Sequence, residues 1–269
     1  MVNRTEPAPS STVVLARDAT DSPEIFLVRR REKSAFGASH VFPGGLIEDQ
    51  DRHAHCDSQL TEQMACRCLG LSTGALDYYS AAIRELFEET GVLLVRDALG
   101  RMPPAAEVPT VDELAAARSR LLAQELRWPD FLERFDLTLA TDALTYFAFW
   151  ITPEARRRRF STRFFLAIMP DGQMARHDGS ELTDSCWMTA AAALESAVRG
   201  ELQLPPPTRA TLRDLAALPS AGELRTWAEQ RQRAGVPGIL PVILSRDGTE
   251  TIVMPADRDH AQLAGRNIE

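Results

Sequence analysis

Residues 81–93 read AIRELFEETGVLL, and they constrain the fold more than any other stretch of the chain. A helix through them places Glu85, Glu88 and Glu89 at i, i+3 and i+4 on one side, while Ile83, Leu86 and Phe87 turn to another. The apolar side has to be buried against a second layer. The acidic side sets carboxylates against one another, which costs roughly a few tenths of a kcal/mol per i,i+4 pair. Gly91 supplies the left-handed backbone that ends a helix sharply. A divalent cation would reverse the repulsion, and oxygen-only ligation suits Mg²⁺ or Mn²⁺, which keep several waters and share substrate phosphates. Arg84 lies four residues before Glu88 and is placed to orient it. The same triplet also reads as a solvated helix face, since Glu is a strong helix former.

The rest of the chain supplies the layers. Residues 12–15 and 24–28 read as strands around a turn-rich segment, after a flexible Pro/Ser leader at 1–11. A short strand at 40–42 runs into Pro43-Gly44-Gly45. Residues 49–79 are polar and carry two His and three of the four Cys. Residues 103–109 form a linker, and helical spacing follows within an insert at about 111–135, with Leu114, Leu121, Leu122 and Leu126 as packers. Strands are expected at 143–151 and 162–169. Helices start at Thr189, Thr208 and Ser220, each a good N-cap, and Gly235 closes the last. Residues 241–254 read as a hairpin around Arg246-Asp247-Gly248, within a C-terminal helical extension spanning 201–269. Mixed strands with flanking helices give an α/β or α+β fold.

Composition narrows the function. At 269 residues and 44% hydrophobic content the chain suits one elaborated domain. A net charge of −8 argues against a nucleic-acid partner, because phosphate backbones attract clustered cations. Four cysteines make no disulfide framework, and the polar start MVNRTEPAPSS lacks the apolar core of a secretory signal. No run approaches the ~18 apolar residues of a membrane span. These features predict a cytoplasmic protein, monomeric or homodimeric, with a small-molecule partner.

Arg84-Glu85-Leu86-Phe87-Glu88-Glu89-Thr90-Gly91-Val92 resembles the second half of the Nudix box, G-x5-E-x7-R-E-U-x-E-E-x-G-U with U apolar, and Phe42-Pro43-Gly44-Gly45 resembles its start. The resemblance implies a Nudix fold, a mixed β-sheet sandwiched between helices, over residues 12–200. It also implies hydrolysis of a diphosphate linked to a nucleoside. Glu85, Glu88 and Glu89 are then metal ligands or bases, Arg84 orients them, and the Gly44 carbonyl adds a ligand. The first half of the box departs from the pattern. Five residues on from Gly45 stands Asp51 in place of Glu, and 32 residues, not seven, separate it from Arg84. Asp77 is the alternative acid, with six residues between. The excess is read as a surface insertion at about 52–79, outside the metal site.

An interrupted box of this kind is similar to that of the peroxisomal-type coenzyme A diphosphatases. Leu27-Val-Arg-Arg30, Trp150-Ile-Thr-Pro153, Arg158-Arg-Phe160, Leu204-Pro-Pro-Pro207 and Pro241-Val-Ile-Leu244 match that branch in order. The substrate so implied is coenzyme A or an acyl derivative. An ADP-ribose, NADH or nucleotide-sugar diphosphatase is the alternative, and a non-catalytic nucleotide sensor is the second. The resemblance also places a further acid near the last strand, for which Glu181 is the candidate ligand or base. Arg30, Arg158 and Arg159 are candidates to grip substrate phosphates, although an arginine run such as 156–159 also reads as a solvated edge. His53, His55, Cys56, Cys66 and Cys68 invite a zinc reading, but Cys66 and Cys68 are one residue apart where structural zinc favours two to four.

Overall fold

The computed structural model describes residues 6–30, 39–54, 56, 60–103, 110–179, 182–246 and 249–255. The chain runs through β1 (Ala8–Arg17), β2 (Glu24–Arg30), β3 (His40–Val41) and β4 (Gly44–Leu46) to α1 (Glu62–Leu69) and α2 (Ala75–Thr90). Then follow β5 (Val95–Arg96), α3 (Val111–Leu122), α4 (Trp128–Arg134), β6 (Thr138–Leu139), β7 (Thr145–Ile151), β8 (Phe160–Ile168) and β9 (Leu182–Thr189). Last come α5 (Ala190–Val198), α6 (Pro206–Leu215), α7 (Ala221–Ala234), β10 (Gly238–Ile239), β11 (Val242–Arg246) and β12 (Thr249–Val253).

The main sheet runs in the order β10, β7, β8, β1, β2, β3, with β4 added to β1 and β9 to β2. It is mixed. β8 lies parallel to β1 from Ala8 beside Phe160 to Ala16 beside Ile168, and β10 is parallel to β7, while the other pairs are antiparallel. Alternation along the strands splits the core in two. Val13, Leu15, Phe26, Val28, Phe165 and Ala167 face α2 and its neighbours. Val14, Ala16, Ile25, Leu27, Phe164 and Leu166 face α5, α6 and α7. Both faces of the central strands are therefore apolar and covered, which gives the expected sheet between helices.

Several expectations are corrected. β1 begins at Ala8, inside the presumed leader, because β8 offers it a parallel ladder and its serines find partners. The Ser10 hydroxyl pairs with Thr162 at 2.7 Å, and Ser11 donates to the Tyr78 carbonyl. Thr189 and Ser220 cap α5 and α7, and Gly235 ends α7. Thr208 caps nothing. It is buried within α6, which starts two residues earlier on Pro206, where a missing N–H is harmless. β11 and β12 form the expected hairpin, with residues 247 and 248 outside the described residues. Residues 104–109 of the linker lie outside them too.

The segment 52–79 is not a surface excursion. α2 claims it from Ala75 onward, with Tyr79 in the core, and Ala65, Cys66 and Leu69 of α1 are buried in the same core. The Glu62 carboxylate receives the Ala75 and Leu76 amides at 3.0 Å each, capping α2 where Gly74 has no side chain to do so. From the sheet, Arg163 donates to the Leu69 carbonyl at the end of α1. On the other flank, Trp128 and Phe131 of α4 stack with each other, and Phe131 stacks on Phe87 of α2 at 5.6 Å. Helix α2 is thus gripped along its apolar side from both directions.

Candidate active site

The acidic side of α2 faces the loop that begins at Phe42. Its organising residue is Arg84, 1% exposed, whose five N–H donors all find acceptors. Nε and Nη2 reach the two Asp51 oxygens at 3.0 and 3.1 Å. Nη1 reaches Glu85 Oε1 and Glu88 Oε2, both at 3.0 Å, and Nη2 also donates to the Leu46 carbonyl at 3.0 Å. Asp51 is 2% exposed and takes further bonds from the Ser80 hydroxyl and the Glu48 amide. It meets Arg84 despite the long intervening segment. Asp77 does not: it lies in the first turn of α2, 3.9 Å from Arg52.

The glycine loop fits against these carboxylates. β4 pairs with β1 through Gly44 beside Thr12 and Gly45 beside Ser11, which brings the loop under α2. Gly44 N donates to Glu89 Oε2 at 2.8 Å, and the Gly44 carbonyl accepts from Arg30 Nη2. Arg30 also stands 3.4 Å from Glu89 Oε1. A Cβ on Gly45 would lie 2.3 Å from Glu85 Oε1, so only glycine leaves room for that carboxylate. A Cβ on Gly44, whose φ is +153°, would lie 2.3 Å from the Ser11 carbonyl.

Burial raises the acid constants here. Burial first, and then the Glu85 charge, lift Glu88 to about 7 against the pull of Arg84. Glu85 is likewise raised, chiefly by burial, with Arg84 opposing. Both side chains keep 14% of their surface open, so the pair is shielded but reachable. Among the described residues no three His, Cys, Asp or Glu side chains converge on one point as a closed metal cage. The carboxylates are each turned to a guanidinium, Glu85 and Glu88 to Arg84 and Glu89 to Arg30. An all-oxygen donor set on one helix face fits a hard, water-rich cation and not zinc.

The other candidates lie elsewhere. Glu181 and His55 are outside the described residues. Arg159 is buried and donates to the Thr152 carbonyl, Arg158 sits over the Phe160 ring, and Arg156 pairs with Glu250. Phe160 lies beside Ala8, whereas the loop lies beside Ser11 and Thr12, so the arginine run starts roughly 10 Å farther along β1. The cysteines are free thiols with separate partners: Cys66 donates to Glu62, and the Tyr79 hydroxyl donates to Cys68. Two contributors escaped the sequence. Ser80 supports Asp51, and Arg118 of α3 donates to the Glu88 carbonyl at the end of α2. Ser80 was in principle detectable, standing one helical turn before Arg84.

The family described as the NUDT19 Nudix domain matches residues 73–215, more than half of the chain. Acyl-coenzyme A diphosphatase NUDT19 of Homo sapiens is 27% identical over 265 residues, covering 87% of this chain and 71% of that protein. The Gallus gallus protein of the same name is 27% identical over 271 residues, covering 87% and 72%. The crystal structure of a NUDIX hydrolase from Alicyclobacillus acidocaldarius matches with a TM-score of 0.64 and 25% identity, over 82% of this chain and 96% of that one.

Proposed function

The chain belongs to the NUDT19 Nudix domain family, and from that premise we propose that this Nudix hydrolase cleaves coenzyme A or an acyl derivative at its diphosphate. The products are 3′,5′-adenosine diphosphate and the corresponding 4′-phosphopantetheine. The carrying observation is the acidic face of α2, held by Arg84 and closed by a glycine loop, in a chain similar over 87% of its length to acyl-coenzyme A diphosphatases.

Glu85, Glu88 and Glu89, with the Gly44 carbonyl, would hold Mg²⁺ or Mn²⁺. When bound, such ions neutralise diphosphate charge and lower the pKa of a water. Arg84 keeps the Glu85 and Glu88 carboxylates oriented from a position that substrate does not reach. Glu88 turns Oε2 to Arg84, which leaves Oε1 to take the proton from the attacking water. The P–O–P bond breaks as the new P–O bond forms. Arg30, at the edge of the cluster, takes phosphate oxygens.

For the pantetheine arm, the segment 202–207 supplies an apolar wall. The His40 amide donates to the Gln203 carbonyl at 2.8 Å, which sets that segment beside the strand leading into the loop. Arg158 is the candidate for a 3′-phosphate: it is exposed, as is Arg157, whereas Arg156 and Arg159 are tied to Glu250 and Thr152. Four free thiols accord with work in the reducing cytoplasm.

A product assay with Mg²⁺ or Mn²⁺ across coenzyme A, acetyl-coenzyme A, dephospho-coenzyme A and ADP-ribose tests this reading. Free or acyl coenzyme A should exceed ADP-ribose in kcat/KM by at least about tenfold, ~1.4 kcal/mol of selective transition-state binding. Dephospho-coenzyme A should close part of the gap. Equal or better hydrolysis of ADP-ribose rejects the coenzyme A assignment and leaves the Nudix chemistry standing.

A further inference from the structure

Gly44 is bracketed by two charged side chains of opposite sign. Its amide donates to one Glu89 oxygen, its carbonyl accepts from Arg30 Nη2, and the same guanidinium faces the other Glu89 oxygen at 3.4 Å. The Glu89 side chain is 6% exposed and that of Arg30 is 30% exposed, so the guanidinium covers the acid like a stopper with its outer edge in water. β2 carries a register shift between Arg29 and Arg30, its last residue, and the Arg30 side chain reaches across to Glu89 of α2. The oxygens on which it rests, Gly44 O and Glu89 Oε1, are hard acceptors of the kind a divalent cation takes.

We infer that Arg30 is a built-in counter-cation: its guanidinium holds the Gly44 carbonyl and Glu89 in place until metal arrives, is displaced from those oxygens by the metal, and then takes up the diphosphate. The inference rests on the reading of Gly44 and Glu89 as metal ligands. A buried carboxylate and a carbonyl left without a cation would be costly, and the guanidinium removes that cost at the expense of competing with metal. The stem tethers the displaced group at the mouth of the cluster, where an anionic substrate offers it new acceptors. Metal and substrate should therefore bind with positive coupling, since each removes a competitor of the other.

The test is Mn²⁺ binding to the full chain without substrate, read from the EPR signal of free Mn²⁺ and from the shift in melting temperature. It compares wild type with Arg30→Gln, Arg30→Lys and Glu89→Gln. Arg30→Gln should bind Mn²⁺ about fivefold tighter or better and show a larger Mn²⁺-induced rise in melting temperature. Arg30→Lys keeps the charge and should stay near wild type. In turnover assays Arg30→Gln should raise KM for the diphosphate substrate more than it lowers kcat. Unchanged or weaker Mn²⁺ binding by Arg30→Gln overturns the inference. If Glu89→Gln binds Mn²⁺ as well as wild type does, the ligand reading itself fails, which is a separate outcome.

Discussion

Arg84 and Asp51 meet through two parallel contacts, Nε to Oδ1 at 3.0 Å and Nη2 to Oδ2 at 3.1 Å, with both side chains almost free of solvent. The acid comes from a short 3-10 turn on the far side of the inserted segment, yet it meets the guanidinium with bidentate geometry. Asp51→Ala would leave two donors of a buried cation unmatched. It should lower the unfolding free energy by about 3–5 kcal/mol, seen as a fall in urea midpoint at an unchanged slope. Asp51→Asn keeps one acceptor and should lose less. A loss below about 1 kcal/mol in Asp51→Ala would show that the pair does not hold the site together.

Glu88→Gln and Glu89→Gln should each lower kcat by about a hundredfold or more, ~2.7 kcal/mol of transition-state stabilisation, in a protein that remains folded. In each case the remaining amide oxygen can still accept, from Arg84 or from Gly44 N respectively. Steady-state kinetics with metal present decides the matter. Near-normal turnover in both variants would remove the carboxylates from the chemistry.

The two loop glycines should fail differently. Gly45→Ala meets only the movable end of Glu85, so activity should fall by about tenfold or more while stability changes by under ~2 kcal/mol. Gly44→Ala meets the backbone of β1 and should be the more destabilising of the two. Denaturation and kcat measured side by side separate these effects, and the reverse order would contradict the loop geometry.

Metal-free protein should lose stability as pH rises from about 4.5 to about 7. Glu88 stands at about 7, above its ordinary value near 4.5, so the folded chain holds that proton more tightly than the unfolded chain. The stability this lends is complete below the unfolded value and is lost as pH rises through about 7. The full span is of order 3 kcal/mol, and Glu88→Gln should flatten it. Melting temperature against pH is the measurement, and an unchanged slope in Glu88→Gln would assign the loss to another group.

Leu69→Ala should cost about 2–5 kcal/mol, because the side chain is 4% exposed within the core beneath α2. A cost under ~0.5 kcal/mol on chemical denaturation would restore the inserted segment to the surface.

The helix, its acidic face and its stop at Gly91 were legible because all three depend on residues within a few turns of one another. The strand pattern at 24–28 and the caps at Thr189 and Ser220 were equally local. Asp51 could be located by counting from Gly45, but its bond to Arg84 depends on α1 folding back under α2, which no local signal announces. Ser10 and Ser11 carry no local strand signal, and it is pairing with β8 and their partners Thr162 and Tyr78 that hold them in β1. The contact of Arg30 with Gly44 and Glu89 was hidden for the same reason: it joins three segments through the last residue of β2.

The parallel pairing of β1 with β8 sets an order of events during synthesis. β1 leaves the ribosome well before β8, and the edge that β8 fills stays bare until residue 168 has emerged, about 150 residues later. A central strand with an open edge can pair with a neighbouring chain in the meantime. Fragments ending before β8 should therefore gather in aggregates, and the slow step of refolding should be the closure of that long loop.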